Sequence, residues 1–593
     1  MSRTTDKSKK NLMLLTALAA GAAFFASVIP VVTDDGRSVT ALKGASENVT
    51  VSSNVSFSRE ASDATAAVGN DGSVISDDEG SSGWDPEVLS WTEHKEADAF
   101  NAHISLNDKK LLITSKDGST LWESDADWQI QDFILCDIDK DGEQELLLLA
   151  WRHGNFGEHK PFFVEENNND LSQHIFIFSK RNDNTGEAKE ANGEGEEGEL
   201  FLRSEWMSSA MHDIVSDWTY SEADGLELTL ASDGSVMHYA WQGWGLKEMI
   251  PEVKRVKFIA FGDVIAHEQI WRYATEGTDT TDTGVSADPV KEDYGFLFEN
   301  VKYRIEEADI AAIVQETPFA AAGEPYRAFP DFASPSGLAD AEIGAGFDVI
   351  ACATNHMLDE GEEGIGRTLD TYGKFQDITV LGIGKDITRP EDRVKIRESN
   401  GIRIALVDYT YGTNGKEIPP DTAYTVDTLH DEDGIIADLD YADENADVTI
   451  VFVHWGDEYE KEISDEQLKW TEVFYECGAD AVIGSHPHVL QPFEMYEGEM
   501  PVFYSLGNFV SGHDKPETVL GGVASFTIEY DRFNGVRITE AELEPVITHQ
   551  EARGIYTTYF LRDYDIDLAD RHRLDVDIPA MWRLYDDHIS LTE

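Results

Sequence analysis

The sequence predicts an α/β fold for its larger, C-terminal part, preceded by a β-rich domain and an N-terminal apolar segment. Three observations carry this. From Val256 onward short apolar runs alternate with charged, helix-patterned stretches. Between about Ala97 and Glu248 short strand patterns follow one another with turn signals between them. Near the start, Leu12–Val32 carries no charge and is preceded by Arg3, Lys7, Lys9 and Lys10. A chain of 593 residues calls for two or three domains, and an apolar fraction of 41% is enough to build their cores.

The N-terminal run is about 20 residues long, enough to span a bilayer, and Asp34 and Asp35 follow it. Positive residues before the span keep the N-terminus inside and export the rest. Residues 1–33 are therefore expected to form a single-pass membrane anchor; a cleaved signal peptide, with a site near Phe25-Ala26-Ser27, is the rival reading. Both place the body outside the cytoplasmic membrane. Residues 34–94, rich in Ser, Asp, Gly, Ala and Thr, read as a flexible linker.

The net charge of -69, from 115 acidic and 46 basic residues, speaks against a nucleic-acid partner, whose phosphates need Lys and Arg. It equally disfavours docking on anionic lipid through a basic patch. A salt-tolerant surface and an acidic secreted protein both fit it. Cys136, Cys352 and Cys477 are far apart and form no CxxC pattern, so buried free thiols are expected.

Residues 95–250 form the expected β-rich domain, with strands at Lys110–Thr114, Asp132–Cys136 and Glu145–Leu149. Between the last two, Asp137, Asp139 and Asp141 alternate, Gly142 supplies a sharp turn and Glu145 follows. That is the oxygen-donor pattern calcium requires; an ion-free acidic turn is the alternative. The stretch resembles the calcium loops of integrin-type (FG-GAP) β-propeller repeats, and a weaker echo runs from Asp213 through Asp217 to Asp224-Gly225. The domain is thus expected to be propeller-like, interrupted by an acidic Gly/Glu loop around 182–199.

In the α/β domain, residues 254–550, strands are expected at Val256–Phe261, Ile310–Val314, Phe347–Ala353, Ile402–Val407, Val448–Val453, Ala481–Ile483, Val502–Ser505 and Gly522–Glu529. Helices are expected at Glu362–Tyr372 and Asp465–Glu476. Residues 551–593 read as a polar tail. Polar groups recur where strands end: Gly262-Asp263 with His267, Gln315-Glu316, Asn355-His356 with Asp359, His454 with Glu458, and Ser485-His486-Pro487-His488. Loops at strand ends are where α/β folds gather their sites. Carboxylate, carboxamide and imidazole donors in this number suffice for two neighbouring divalent ions, which can acidify a bound water and clamp a phosphate. Taken singly, Gly262-Asp263 could be a turn, His454 a core histidine and Asp359 a helix cap.

The stretches Gly262-Asp263, Asn355-His356 with Asp359-Glu360-Gly361, His454-Trp455-Gly456-Asp457-Glu458-Tyr459, Gly484-Ser485-His486-Pro487-His488 and Tyr504-Ser505-Leu506-Gly507-Asn508-Phe509 together resemble the CapA family of poly-γ-glutamate capsule biosynthesis proteins, over about Lys257–Val546. The resemblance implies a two-sheet sandwich flanked by helices, related to calcineurin-like metallophosphoesterases, with a dimetal centre. It marks Asp263, Glu316, Asn355, His454, His486 and His488 as metal residues. It makes His356 and Asn355 the catalytic pair, with His356 in acid catalysis or phosphate contact, and leaves His267, Asp359 and Glu458 in supporting or undefined roles. One departure is Val314, which stands where the family carries an Asn; valine can neither bind metal nor donate to phosphate. The implied function is metal-dependent hydrolysis or transfer in surface-polymer biogenesis, on a polymer or phosphoester, beside other membrane proteins of a capsule system. A non-catalytic scaffold and a secreted nucleotidase or phosphodiesterase are the alternatives.

Overall fold

The computed structural model describes residues 89, 91–154, 170–180, 202–211, 213–276, 293–419, 422–551 and 555–589. The expected anchor, the linker up to residue 88 and the acidic loop at 182–199 lie outside these residues. Among the described residues no helix is long and apolar enough to cross a membrane. The chain divides into two compact units after Ile250.

The first unit consists of three successive four-stranded antiparallel sheets, each an up-and-down meander: His94–Ala99 to Thr120–Glu123, Gln129–Cys136 to Leu202–Met207, and Val215–Ser221 to Gly245–Glu248. The run Leu146-Leu147-Leu148-Leu149 shows why the middle sheet is apolar on every residue. Leu146 and Leu148 pack with Ile104, Leu106 and Ile113 of the first sheet, while Leu147 and Leu149 pack with Val215, Leu226 and Leu228 of the third. A strand covered on both faces needs no polar alternation. The first and third sheets contribute to separate cores, so among the described residues the propeller expectation narrows to a stack of three meanders. Cys136, Cys352 and Cys477 are buried and free.

The second unit, Pro251–Glu593, is a sandwich of two sheets. One is eight-stranded. In it Thr379–Leu381, Val349–Ala351, Ile310–Gln315 and Lys254–Val264 run parallel, and Leu520–Asp531, Gly535–Gln550 and Tyr556–Phe560 continue antiparallel. The short strand Asn508–Val510 also pairs with Lys254–Val264. The other sheet is six-stranded and has Ile402–Thr410, Val448–His454, Ala481–Ser485 and Met500–Phe503 in parallel at its centre.

Strand periodicity sorts the side chains into layers. Phe258, Ala260, Ile310, Ala312 and Val314 of one sheet meet Ile404, Leu406, Ile450, Phe452 and Ile483 of the other, forming the core between the sheets. Ile259, Phe261, Ala311 and Ile313 face helices on the outer side. Val451, Val453 and Val482 face the helices Glu432–Asn445 and Asp465–Glu476 on the opposite outer side. The second of these helices begins at a Ser464/Gln467 capping box, which sets its first turn. Truncating a core aromatic such as Phe258 to Ala is expected to cost about 3–5 kcal/mol.

The polar tail expected at 551–593 is corrected. Tyr556–Phe560 extends the larger sheet, and Leu561, Tyr564, Leu568, Val576 and Met581 join the inter-sheet core. Apolar residues dispersed among charges there return at helical spacing in Ile578–Ile589, and that periodicity outweighs the polar composition.

Candidate metal centre

Every side chain of the cluster sits where a parallel strand ends. His454 shares the inward parity of Ile450 and Phe452, and Ser485 that of Ala481 and Ile483. Asp263 should by parity point outward, but a bulge intervenes. Phe261 pairs with Ile313 and Asp263 with Val314, which leaves Gly262 unpaired. The extra residue turns Asp263 to the same side as Val314, between the sheets. Only glycine fits at 262: a Cβ there would stand 2.0 Å from the Gly507 carbonyl oxygen. Beyond the Ala481–Ser485 strand, His486 and His488 take left-handed backbone conformations, with φ of 99° and 58°. For residues with a Cβ this costs roughly 1–3 kcal/mol each, the kind of strain that collects at functional sites.

The structure brings the expected donors together in two groups that share His488, neither of which includes His454. Donor atoms of Asp263, Glu316 and His488 lie within 4.8 Å of one another, as do those of Glu458, His486 and His488. His488 Nδ1 is 3.7 Å from Asp263 Oδ2, and its Nε2 is 3.8 Å from Glu316 Oε1. His454 Nδ1 is 3.9 Å from Asp263 Oδ1. The His488 Nε2–Glu316 and His454–Asp263 separations exceed hydrogen-bond length but approach the spacing of about 3.4 Å between two donors on one tetrahedral ion with bonds of about 2.1 Å. His454 Nδ1 also lies 2.8 Å from Ser485 Oγ, and its Nε2 is 3.1 Å from Asn355 Oδ1, so Asn355 joins through His454.

Asp263, Glu316, Asn355, His454, His486 and His488 are all buried. Asp263 Oδ1, both carboxylate oxygens of Glu316 and His486 Nδ1 are buried without a hydrogen-bond partner. Buried polar atoms are rarely left so, and four converging ones mark a missing positive or polar group. The electrostatics agree. Burial pushes Asp263 up to about 7 against the opposing pull of the His486 amide. Glu316 is pushed well up, first by burial and then by Asp263. Burial lowers His454 and His488 well below the ordinary histidine range, and His486 to about 3. Neutral imidazoles beside two carboxylates deprived of solvent form a donor set that a divalent cation satisfies. The residues present therefore fit a metal.

His356 stands apart from both groups. Its Nδ1 is 2.7 Å from Asp359 Oδ2, and Asp359 also pairs with Lys416 and accepts the Phe332 amide at 2.8 Å. Asp359 is thus not a helix cap; the helix Gly361–Tyr372 starts from Glu360 with no side-chain cap. His267 accepts the Gly512 amide at 3.0 Å and lies outside both donor groups. Val314 fills the core beneath Glu316, and Gln315 donates to Thr317 instead of turning inward to replace the missing amide.

The sequence reading did not single out Asn508. Its Oδ1 lies 3.1 Å from His488 Nδ1, while its Nδ2 donates to the carbonyls of His488 and Thr518. Ser485 was quoted only as part of its stretch and His513 was not singled out; for Asn508 the available signal was the Tyr504–Phe509 stretch itself.

In the first unit, Asp137, Asp139 and Glu145 bring carboxylate oxygens within 4.8 Å of one another. Asp141 is turned to the loop, accepting the Glu143 amide at 2.8 Å. The echo does not repeat this arrangement: Asp213, Asp217 and Asp224 bond to immediate neighbours or to Ser232.

Residues 257–513 match the family model described as bacterial capsule synthesis protein PGA_cap. The chain is 34% identical over 164 residues to the PGA biosynthesis protein CapA of Bacillus subtilis, covering 28% of this chain and 42% of that one. It is 34% identical over 171 residues to the capsule biosynthesis protein CapA of Bacillus anthracis, covering 28% and 40%. It thus spans less than half the length of these relatives. A solved 5'-nucleotidase of Candida albicans overlaps 56% of this chain and 57% of its own at 9% identity, with a TM-score of 0.30.

Proposed function

We propose that this chain, whose residues 257–513 belong to the bacterial capsule synthesis family, acts in the biogenesis of a poly-γ-glutamate type surface polymer through a metal-dependent hydrolase or transferase site. The observation that carries the reading is that the buried, unpartnered oxygens of Asp263 and Glu316 and the unpartnered His486 Nδ1 belong to two donor groups joined at His488. Asp263, Glu316, His486 and His488 would hold the ions, with His454, Asn355 and Glu458 beside them. A bound divalent ion supplies a positive charge that polarises an acyl or phosphoryl oxygen and acidifies water. His356 donates Nδ1–H to Asp359, which orients the ring and leaves Nε2 to move a proton at the leaving atom. Burial of the cluster excludes bulk water and strengthens each electrostatic contact.

In the same reading Leu12–Val32 anchors the chain with its body outside the membrane, near other membrane proteins of the capsule system. The stacked meanders serve as a propeller-type accessory domain with calcium at Asp137–Glu145. A second reading, a metal-holding scaffold without turnover, is favoured by Val314, which leaves the floor under Glu316 apolar. Metal analysis of the purified protein, with model phosphoester and γ-glutamyl amide substrates, separates the two. Turnover lost in His356→Ala with metal retained supports the enzyme; metal without turnover in the wild type supports the scaffold. A wild-type protein that holds no divalent ion refutes both.

A further inference from the structure

One wall of the cluster differs from the rest in presenting hydrogen-bond donors and a cation. Tyr459, on the loop after the Val448–His454 strand, is held at φ 68° with its amide donating to the Pro487 carbonyl at 2.8 Å. That bond fixes it over the histidine loop, its ring 5.9 Å from that of His488, while the side chain remains 42% exposed. His513 packs against both rings, its centroid 4.9 Å from that of His488 and 5.9 Å from that of Tyr459, and its Nε2 is 3.4 Å from the Tyr459 hydroxyl. Ser511 Oγ accepts the His513 amide and lies 3.1 Å from His513 Nδ1, so its hydroxyl hydrogen is free to point at that nitrogen. With the Ser511 hydroxyl facing Nδ1, the ring proton is placed on Nε2, toward Tyr459.

Lys515 completes the wall. Its Nζ stands 5.2 Å above the Tyr459 ring, and among the described residues it makes no ion pair. Three other cations of the α/β unit are committed: Lys416 to Asp331 and Asp359, and Arg367 and Arg327 to Glu360. In a chain with 115 acidic residues, Lys515 stacked on an aromatic ring at the site's edge is a positive charge within reach of an anionic ligand.

We propose that Tyr459, His513 and Lys515 form an anion-recognising wall beside the metal cluster, which takes a carboxylate or phosphate group of the substrate next to the bond that reacts. This rests on the reading of the cluster as a substrate site. The acidic surface repels a polyanion, and this wall, together with the ions, gives one of its acidic groups a place to settle. Lys515 supplies charge, Tyr459 holds it and offers a hydroxyl, and His513 directs that hydroxyl.

The test is direct binding to the full-length protein by calorimetry, with a γ-glutamyl oligomer in one arm and inorganic phosphate in the other. Bound metal and melting temperature are measured on the same samples. Lys515→Ala is expected to weaken one arm about ten- to hundredfold while metal and melting temperature stay at wild-type values, and Lys515→Arg to restore most of the loss. Tyr459→Phe is expected to give a smaller loss in the same arm. Loss in the oligomer arm assigns the wall to carboxylate, and loss in the phosphate arm assigns it to phosphate. Wild-type affinity of Lys515→Ala in both arms overturns the proposal while leaving the metal site standing. A wild type without metal refutes the site reading instead, since metal is measured independently of these affinities.

Discussion

Asn508 offers the sharpest test of how the cluster is held. Its Nδ2 donates to two carbonyls, His488 O at 3.2 Å and Thr518 O at 2.9 Å, so the amide cannot flip without facing oxygen against oxygen. Oδ1 must then accept, and the group it meets at 3.1 Å is His488 Nδ1. This fixes the proton on Nδ1 and presents the Nε2 lone pair toward Glu316. Asn508→Ala leaves two buried carbonyls and one imidazole N–H unpaired, at about 1–3 kcal/mol each. The expected loss of stability is thus on the order of 3–9 kcal/mol, and metal affinity should fall about 10- to 100-fold as His488 loses its fixed tautomer. Asn508→Asp is the control. It keeps an acceptor for His488 but sets its second oxygen against the two carbonyls, so it should lose stability while keeping the tautomer. The assays are chelator competition for metal and nitrogen chemical shifts of labelled histidine. Wild-type metal affinity in Asn508→Ala, with the His488 tautomer unchanged, would refute this account.

Glu342 is buried in the outer core of the larger sheet, accepts from the Tyr372 hydroxyl at 2.5 Å, and is pushed by burial from 4.5 up to about 8. Between these values the folded chain keeps a proton that the unfolded chain has released, so stability falls as pH rises through the window, by on the order of 4–5 kcal/mol. In Glu342→Gln this part of the pH dependence should vanish; melting curves at pH 5 and pH 8 with the same wild-type-to-variant difference would count against it. Calcium should raise the melting temperature of the wild type, and Asp137→Ala with Asp139→Ala should abolish the rise; indifference of the wild type to calcium and chelator would favour an ion-free acidic turn. Protease added to cells whose outer layers admit it should remove the body and leave a stub containing Leu12–Val32; survival of the body would reject the outward topology.

Much of the site was legible because its signals are local. An apolar run ending in Asp, Glu or His is visible residue by residue, and the helix expected at Asp465–Glu476 has those bounds in the structure, where a Ser464/Gln467 capping box starts it. What escaped depends on pairing between distant segments. Whether Asp263 faces inward follows from the bulge at Gly262, and that bulge tolerates only glycine because Gly507, some 245 positions later, approaches too closely for a side chain. Asn508 reads as an ordinary polar residue until the strand Asn508–Val510 is laid beside Lys254–Val264 and brought against His488. Val314 shows the converse. Its chemistry was read correctly as unable to bind metal, but only the sandwich shows that the position belongs to the core beneath Glu316. An amide at 314 would have needed hydrogen-bond partners in that layer, whereas valine needs none. The substitution therefore removes a polar neighbour of the cluster while leaving its donors in place. Metal binding and turnover can part company at this one residue, so the two must be measured separately.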